Sequence, residues 1–544
     1  MYQAGDLPEQ YRPVHALNRL GFGPRPGDVE RIDSIGVDQY IHEQLHPESI
    51  PIPQSLTDKV SSYRTLHMTP QALFREFQLP VMQARRENKG DKEAARDAIK
   101  DQRIRQRIVM REAAEARLVR AIYGPRQLQE VMTAFWFNHF NVFAGKGLDY
   151  IWTGSFEEIA IRPHTMGRFR DLLGATARHP AMLFYLDNWQ NTAPQSSGAK
   201  GKFEGINENY ARELMELHTM GVNGGYTQQD VIALAHILTG WGLPRGRDQQ
   251  PRNSEPKPGG FGLFGPMRRR RFNGGEARRM PPDPSFFYFD ADRHDFGDKL
   301  FLGHEIRGGG IQEGEQALDI LARHPSTARH LSYQLAQYFV CDNPPDTLVQ
   351  RMTQRYSQTD GNIREVLTTI FTSPEFWDRR SYAAKFRSPY EYVVSCVRAT
   401  DVQVSNYRPL YGTMQLLGMP LYGCQTPNGY DNTRDAWLNP DAMMTRLSFA
   451  TALGAGNLPL DRPPFEEDEE PKERAAVPRK AGANANTRIE YNPNRPNRMT
   501  PPDANRLTQS LGGTLSESTG ASIEAAPMQL RAALVLGSPE FMMR

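Results

Sequence analysis

The sequence predicts a mostly α-helical fold: one large multi-helix domain with a small β-hairpin, a disordered linker and a C-terminal helix that docks back on the body. Three observations predict it. Apolar residues recur at helical spacing, as in Ile99, Ile104, Ile108, Ala114, Leu118 and Ile122. Capping and stop signals divide the chain at short intervals. One segment alone, FFYFDADRHDFGDKLFLGHEI from Phe286, has the alternating and aromatic positions of two short strands.

In chain order, residues 11–46 read as a helix from HALNRL, a turn over Gly23-Pro24-Arg25-Pro26-Gly27, and helices in DVERIDSIG and VDQYIHEQLHP, the last ended by Pro47. Residues 47–70 are a connector. Residues 71–122 are helical and highly charged, with a break at Lys89-Gly90. Gly124-Pro125 restarts a helix, RQLQEVMTAFWFNHFNVF, whose second half is apolar nearly all round and therefore buried. Two or three helices follow, punctuated by Gly174 and Arg178-His179-Pro180, and a Gly- and Ser-containing loop spans 191–205.

Residues 206–241 organise the chain. A first helix, uninterrupted by Pro or Gly from 208 to 220, is capped by Asn207 and stopped by Gly221 and Asn223-Gly224-Gly225. Thr227 caps a second helix, with Asp230 completing a variant capping box. The stretch 242–284 is rich in Gly, Pro and Arg, holds Arg268-Arg269-Arg270-Arg271, and reads as a basic flexible insertion or an anion-docking arm. After the hairpin, residues 309–380 return to helix. Ser388-Pro389-x-Glu391 is a capping box that opens YEYVVSCVRAT. LGMPLYGCQTPNGYDNTRDAWLNP is mostly loop, and DAMMTRLSFATAL is a helix. The main helical domain is thus 1–456, a disordered linker with the acidic run Glu466-Glu467-Asp468-Glu469-Glu470 covers 457–524, and a C-terminal helix covers 525–544. The last segment repeats the SPEF of residues 373–376, as a shared capping solution or a weak internal repeat.

Composition excludes several classes. With 544 residues and a net charge of +2, bulk charge indicates no nucleic-acid or membrane partner. No apolar stretch of about 18 residues exists for a membrane span, and no basic-then-apolar leader opens the chain, which as written reads as cytoplasmic. Cys341, Cys396 and Cys424 lack metal or disulfide spacing. There is no Walker loop, no strand-linked GxGxxG and no GxSxG elbow.

Candidate chemistry gathers in a few places. On the first organising helix, Asn209, Glu213 and Glu216 share a face, whereas Glu208, Arg212 and Glu216 form an i, i+4, i+8 ladder. Glu208 and Glu213 are the candidate acid and base, because carboxylates against apolar walls hold protons near neutral pH. His294 and Asp295, adjacent on a loop, are a further acid–base or metal-binding pair, or equally an Asx turn. His139, inside the apolar helix, is the candidate metal ligand or a hydrogen-bonded core histidine. Asn138, Asn207 and Arg212 are candidate binding residues, and Trp136 and Trp241 could line a sugar-binding face.

Several segments together resemble one family, the bacterial "domain of unknown function 1800" proteins: HALNRLGFGPRPGDV, FWFNHFNVF, NENYARELMELHTMGV, YTQQDV with LTGW, HDFGDKLFLG, HPSTARHL, SPEFW, and LGMPLY with PNGYD. The resemblance spans most of residues 13–454 and the last helix. It implies a large, mostly helical bacterial protein and no established activity. Proteins that look like this are often exported and often encoded beside a second exported protein, which implies a co-encoded partner.

Two functional expectations follow. One is an enzyme, a metal- or carboxylate-dependent hydrolase of a small-molecule or polymer substrate, with zinc, manganese or iron suited to its Glu, His and Asp donors. The other is a non-catalytic scaffold or binding protein whose polar residues form a buried network. In the first, Glu208, Glu213, His139 and His294 converge on a solvent-reachable cavity; in the second, they are paired and sealed.

Overall fold

The computed structural model describes residues 5–88, 90–201, 203–244, 285–462, 499–511 and 515–544. Helices account for most of the described chain, with two antiparallel two-stranded sheets beside them. The basic insertion expected at 242–284 lies outside the described residues from 245 onward, as does the acidic run. No helix among the described residues is long and apolar enough to cross a membrane.

The helix Gln127–His139 runs through the centre. Trp136 is fully buried, its indole N–H donates to the Thr165 carbonyl at 3.0 Å, and Phe135, Phe140 and Phe169 pack around its ring. The sequence extended this helix to Phe143, yet it ends at His139, with Phe140 at φ −99°, ψ 43°. The reason is tertiary: Asn141 leaves the helix to bond two carbonyls of a distant loop. The 32-residue helix Lys92–Tyr123, capped by Asp91, lies alongside.

The organising stretch is shorter than expected. Its first helix spans Asn209–Glu216, where 208–220 was expected. His218 N–H donates to the Glu213 carbonyl and Met220 N–H to the Met215 carbonyl, wide i→i+5 turns that unwind the helix end. The second helix, Gln228–Ile237, carries the Thr227–Asp230 capping box in full. The box of Ser388 and Glu391 likewise opens Pro389–Thr400.

Trp241–Gly242 pairs with Tyr288–Phe289, and Lys299–Phe301 pairs with His304–Ile306. Leu302 (φ 48°) and Gly303 (φ 78°) both take the positive φ that a two-residue hairpin turn requires. The hairpin region is fastened by a buried carboxylate. Glu313 accepts from Lys299 Nζ at 2.6 Å, from the backbone N–H groups of Gly309 and Gly310, and from His294 Nε2 at 2.8 Å. It sits in the first turn of Ile311–Arg323, where the helix end favours an anion.

At the far end, Pro440–Gly454 packs against Met528–Leu536, and the small Gly454 lets the Ala533 backbone approach. Residues 542–544 bond back to 385–387, and Arg544 meets Glu391 at 3.0 Å. The C-terminal helix therefore docks as expected. The two SPEF segments fold alike: Ser373 and Ser538 each accept the N–H three residues on, and Phe376 and Phe541 are buried.

Among the described residues, helices also occupy stretches read as loop, linker or left unassigned, including Gln54–Ser61, Asp149–Ser155, Arg408–Leu416, Arg434–Trp437, Ala504–Ser510 and Glu517–Ala525. Each is short and contributes few buried apolar residues, so its periodic signal is weak and packing decides it.

Replacing Glu313 by Ala strands a buried ammonium and imidazole, and is expected to cost about 3–5 kcal/mol, read from the urea midpoint. Burial alone would raise this carboxyl, but the bonds from His294 and Lys299 outweigh it and hold it below the usual range. Its contribution is therefore present above the ordinary carboxylate pKa of about 4.3 and fades as pH falls through the lower folded value. The wild-type chain should lose more stability across that acid window than Glu313→Gln.

Candidate functional site

Two asparagines at the end of the central helix build the wall of the site. Asn138 Nδ2 donates to the Tyr430 carbonyl at 2.8 Å, and its Oδ1 accepts the Tyr430 N–H at 2.7 Å. Asn141 Nδ2 donates to the carbonyls of Cys424 and Thr426, and the Tyr185 hydroxyl donates to the Gln425 carbonyl at 2.7 Å. The loop 422–430 is thereby clamped over the helix end. A cavity of about 50 Å³ lies beneath it, walled by Asn138, Asn141, Arg117, Tyr390 and Glu391. That is room for a few waters. Arg117 is paired with Glu157 at 3.0 Å and sits over the rings of Phe137, Tyr390 and Tyr422.

Outside the clamp, Tyr185 collects titratable groups. Burial raises its phenol, and the Cys424 thiol, Asp149 and Glu213 raise it further, against a bond with Asn141. Lys146 Nζ donates to the Tyr185 carbonyl and to Asp187 Oδ2 at 2.9 Å. Asn209 ties the organising helix to the same segment through the Leu186 carbonyl.

Glu213 stands half-buried on this helix and makes no hydrogen bond or ion pair of its side chain with a described residue. Burial, and then the neighbouring Glu216, raise its carboxyl above the usual range; Arg212 works weakly the other way. Tyr226, bonded to Glu216, flanks it with a phenol pushed up to about 12, first by burial. Asp149 is more extreme: it is fully buried, neither carboxyl oxygen has a partner, and burial raises it well above the usual value.

The other candidates separate into distinct places. Glu208 accepts from Arg212 at 3.1 Å and Gln228 at 2.7 Å on the surface, and Arg212 reaches Glu216 at 3.8 Å. Asn207 takes the Asn191 side-chain oxygen on its N–H, and its Oδ1 accepts the Asn209 N–H. His139 donates to the His218 carbonyl at 3.1 Å; burial, and then His330, lower its pKa to about 3 and keep it neutral. His294 is sealed, with Nδ1 against the Thr239 carbonyl and hydroxyl and Nε2 against Glu313. Asp295 meets His236 Nδ1 at 2.6 Å and accepts the Gly297 N–H. Trp136 and Trp241 are both fully buried, so neither presents an open face to a sugar; Trp241 packs on Gly314 and Phe287. Among the described residues no group of three or more His, Cys, Asp or Glu is arranged to hold a metal ion, around His139 or elsewhere.

Sequence reasoning did not find Tyr185, Asn141 as a clamp, Lys146, Asp149, His236 or Glu313. Asn141 carried a signal, a polar residue in an apolar run. His236 lay inside an apolar helix of the organising stretch. Asp149 and Lys146, in the short GKGLDY connection, carried none.

The family model described as "Protein of unknown function (DUF1800)" matches residues 15–543, nearly the whole chain. No curated protein and no solved structure matches it.

Asp149 yields a test of the burial argument. A carboxyl whose folded pKa is raised lowers stability once pH exceeds its unfolded pKa of about 3.9. Asp149→Asn should therefore raise the melting temperature at pH 7, and the gain should vanish below about pH 3.5, where both side chains are neutral.

Proposed function

The chain belongs to the DUF1800 family, whose description assigns no activity, and from the site itself we propose an enzyme of acid–base chemistry, a hydrolase in which Glu213 carries the working proton. The observation that carries this reading is the state of Glu213: half-buried, unpartnered, and raised in proton affinity by burial and by Glu216. A general base needs that combination, since a fully paired carboxylate is too stable to accept a proton and a fully exposed one is too acidic. Tyr185 and Tyr226 lie near it with phenols that stay protonated at neutral pH, and either can donate to a bound substrate by leaving its present acceptor, the Gln425 carbonyl or Glu216. Lys146 adds a positive charge on the same wall. In this reading Glu213 takes a proton from water as the water attacks a small-molecule or polymer substrate, a phenol supports the developing negative charge, and the protonated Glu213 gives the proton to the leaving group as the scissile bond breaks.

A second reading, a scaffold, has its own support. Glu208, His139 and His294 are each paired, and His294 is sealed from water. On that reading the network fixes helix packing and the work lies in partner binding.

Glu213→Gln separates the two. On a panel of chromogenic ester, phosphoester, glycoside and peptide substrates, the enzyme reading expects turnover to fall by about 10² or more, with the melting temperature within a few degrees. The wild-type rate should rise with pH along a limb set above the ordinary carboxylate value of about 4.3, since the base works deprotonated. A large loss of stability without any turnover to lose would favour the scaffold.

A further inference from the structure

A second concave site lies far along the chain from Glu213 and is independent of its role. The helix Lys92–Tyr123 presents Ile104, Ile108 and Arg111 at helical spacing toward a cavity of about 530 Å³, with Arg105 and Arg107 beside them. Arg64, Glu76 and Phe77 close one side, and Arg408, first residue of the helix Arg408–Leu416, closes another. The described lining thus carries five arginines and one carboxylate. That carboxylate is engaged: Arg64 grips Glu76 through both oxygens, at 2.9 and 2.5 Å, and holds it below the usual range. Arg105 and Arg107 are exposed and enter no ion pair with a described residue. The half-exposed Ile104 and Ile108 and the buried Phe77 give the floor an apolar strip.

We propose that this pocket binds an extended polyanion, a ligand of several phosphate or carboxylate groups, with its apolar part lying on the Ile104–Ile108 strip. The volume is that of a small-molecule site. A planar guanidinium pairs two oxygens of one phosphate or carboxylate, so an arginine wall suits such a ligand better than it suits a single halide or a neutral sugar. The concentrated positive field raises the local concentration of anions, and the attraction weakens as salt screens it.

This chemistry has two sources. One is a free polyanion. The other is the chain itself: Leu460 accepts the N–H groups of Ser405 and Asn406, two residues from Arg408, and the five acids Glu466 to Glu470 begin six residues after that anchor.

The test uses inorganic tripolyphosphate as probe, by calorimetry at low salt, on the full chain in four forms. These are the wild type, Arg105→Ala/Arg107→Ala, a chain with Glu466→Gln, Glu467→Gln, Asp468→Asn, Glu469→Gln and Glu470→Gln, and that same chain with Arg105→Ala/Arg107→Ala added. Wild-type binding that weakens at least about tenfold in the double arginine variant supports the site and a free polyanion. Binding that appears only after the acids are neutralised, and that is lost when Arg105 and Arg107 are then also replaced, supports the site with the acidic run as its resident ligand. Binding in no form, or binding indifferent to the two arginines, overturns the proposal. Both arginines are exposed, and circular dichroism of the double variant checks that the helix persists.

Discussion

A helix buried on nearly every side leaves its last polar side chains little access to water, and that constraint shapes the molecule around Gln127–His139. Its last polar side chains must bond to protein. Asn138 and Asn141 do so by capturing backbone groups of residues 424–430, almost 300 positions away, and His139 does so through the His218 carbonyl. These bonds bring three remote parts of the chain together: the central helix, the organising stretch and the loop before the C-terminal helices. The candidate site is the seam where they meet. Tyr185 belongs to the same seam through Gln425.

Charge is handled in two ways, and magnitude separates them. The Glu208–Arg212–Glu216 ladder is about a third exposed, so each pair contributes a few tenths of a kcal/mol and mainly trims the helix surface. Glu313 with His294 and Lys299, and Arg117 with Glu157, are buried. Such groups are costly to desolvate and costlier to break, so they fix one arrangement of neighbours more than they add net stability. In the hairpin region the result is a rigid block: Thr239 bonds the His236 carbonyl through its hydroxyl and accepts the Asp295 N–H, while His294 bonds its carbonyl. Glu213 and Asp149 stand apart because they are withdrawn from water without a counter-charge bonded to them.

Much of the candidate site was only half legible in the chain. Glu213 was visible as a helical carboxylate between aromatic segments, and Asn138 and His139 as polar residues in an apolar run. Their grouping was not. Periodicity places Glu213 and His139 on separate helices and cannot say that one faces Tyr185 while the other turns into the core. The adjacency of His294 and Asp295 suggested a shared role, yet successive residues on an extended loop point in different directions. One enters the core toward Glu313 and the other meets His236 near the surface. Trp136 and Trp241 illustrate the same limit: aromatic content is read from sequence, and exposure is not.

By itself the sequence determined the helical class, the capping boxes at Thr227 and Ser388, short strands within residues 286–306, and the docking of the C-terminal helix; it centred the hairpin on His294-Asp295, whereas the chain turns at Leu302-Gly303 and Tyr288–Phe289 pairs with Trp241–Gly242. What it determined rests on local rules: apolar period, cap chemistry, and turns that need positive φ. Tertiary structure alone decided where the central helix ends, which polar residues are paired, and that Asn141, Lys146, Asp149 and Glu213 gather around Tyr185. Those outcomes depend on which remote carbonyl or charge lies within about 3 Å of a side chain, and on how far water is excluded there. Neither quantity is a property of neighbouring residues in the chain.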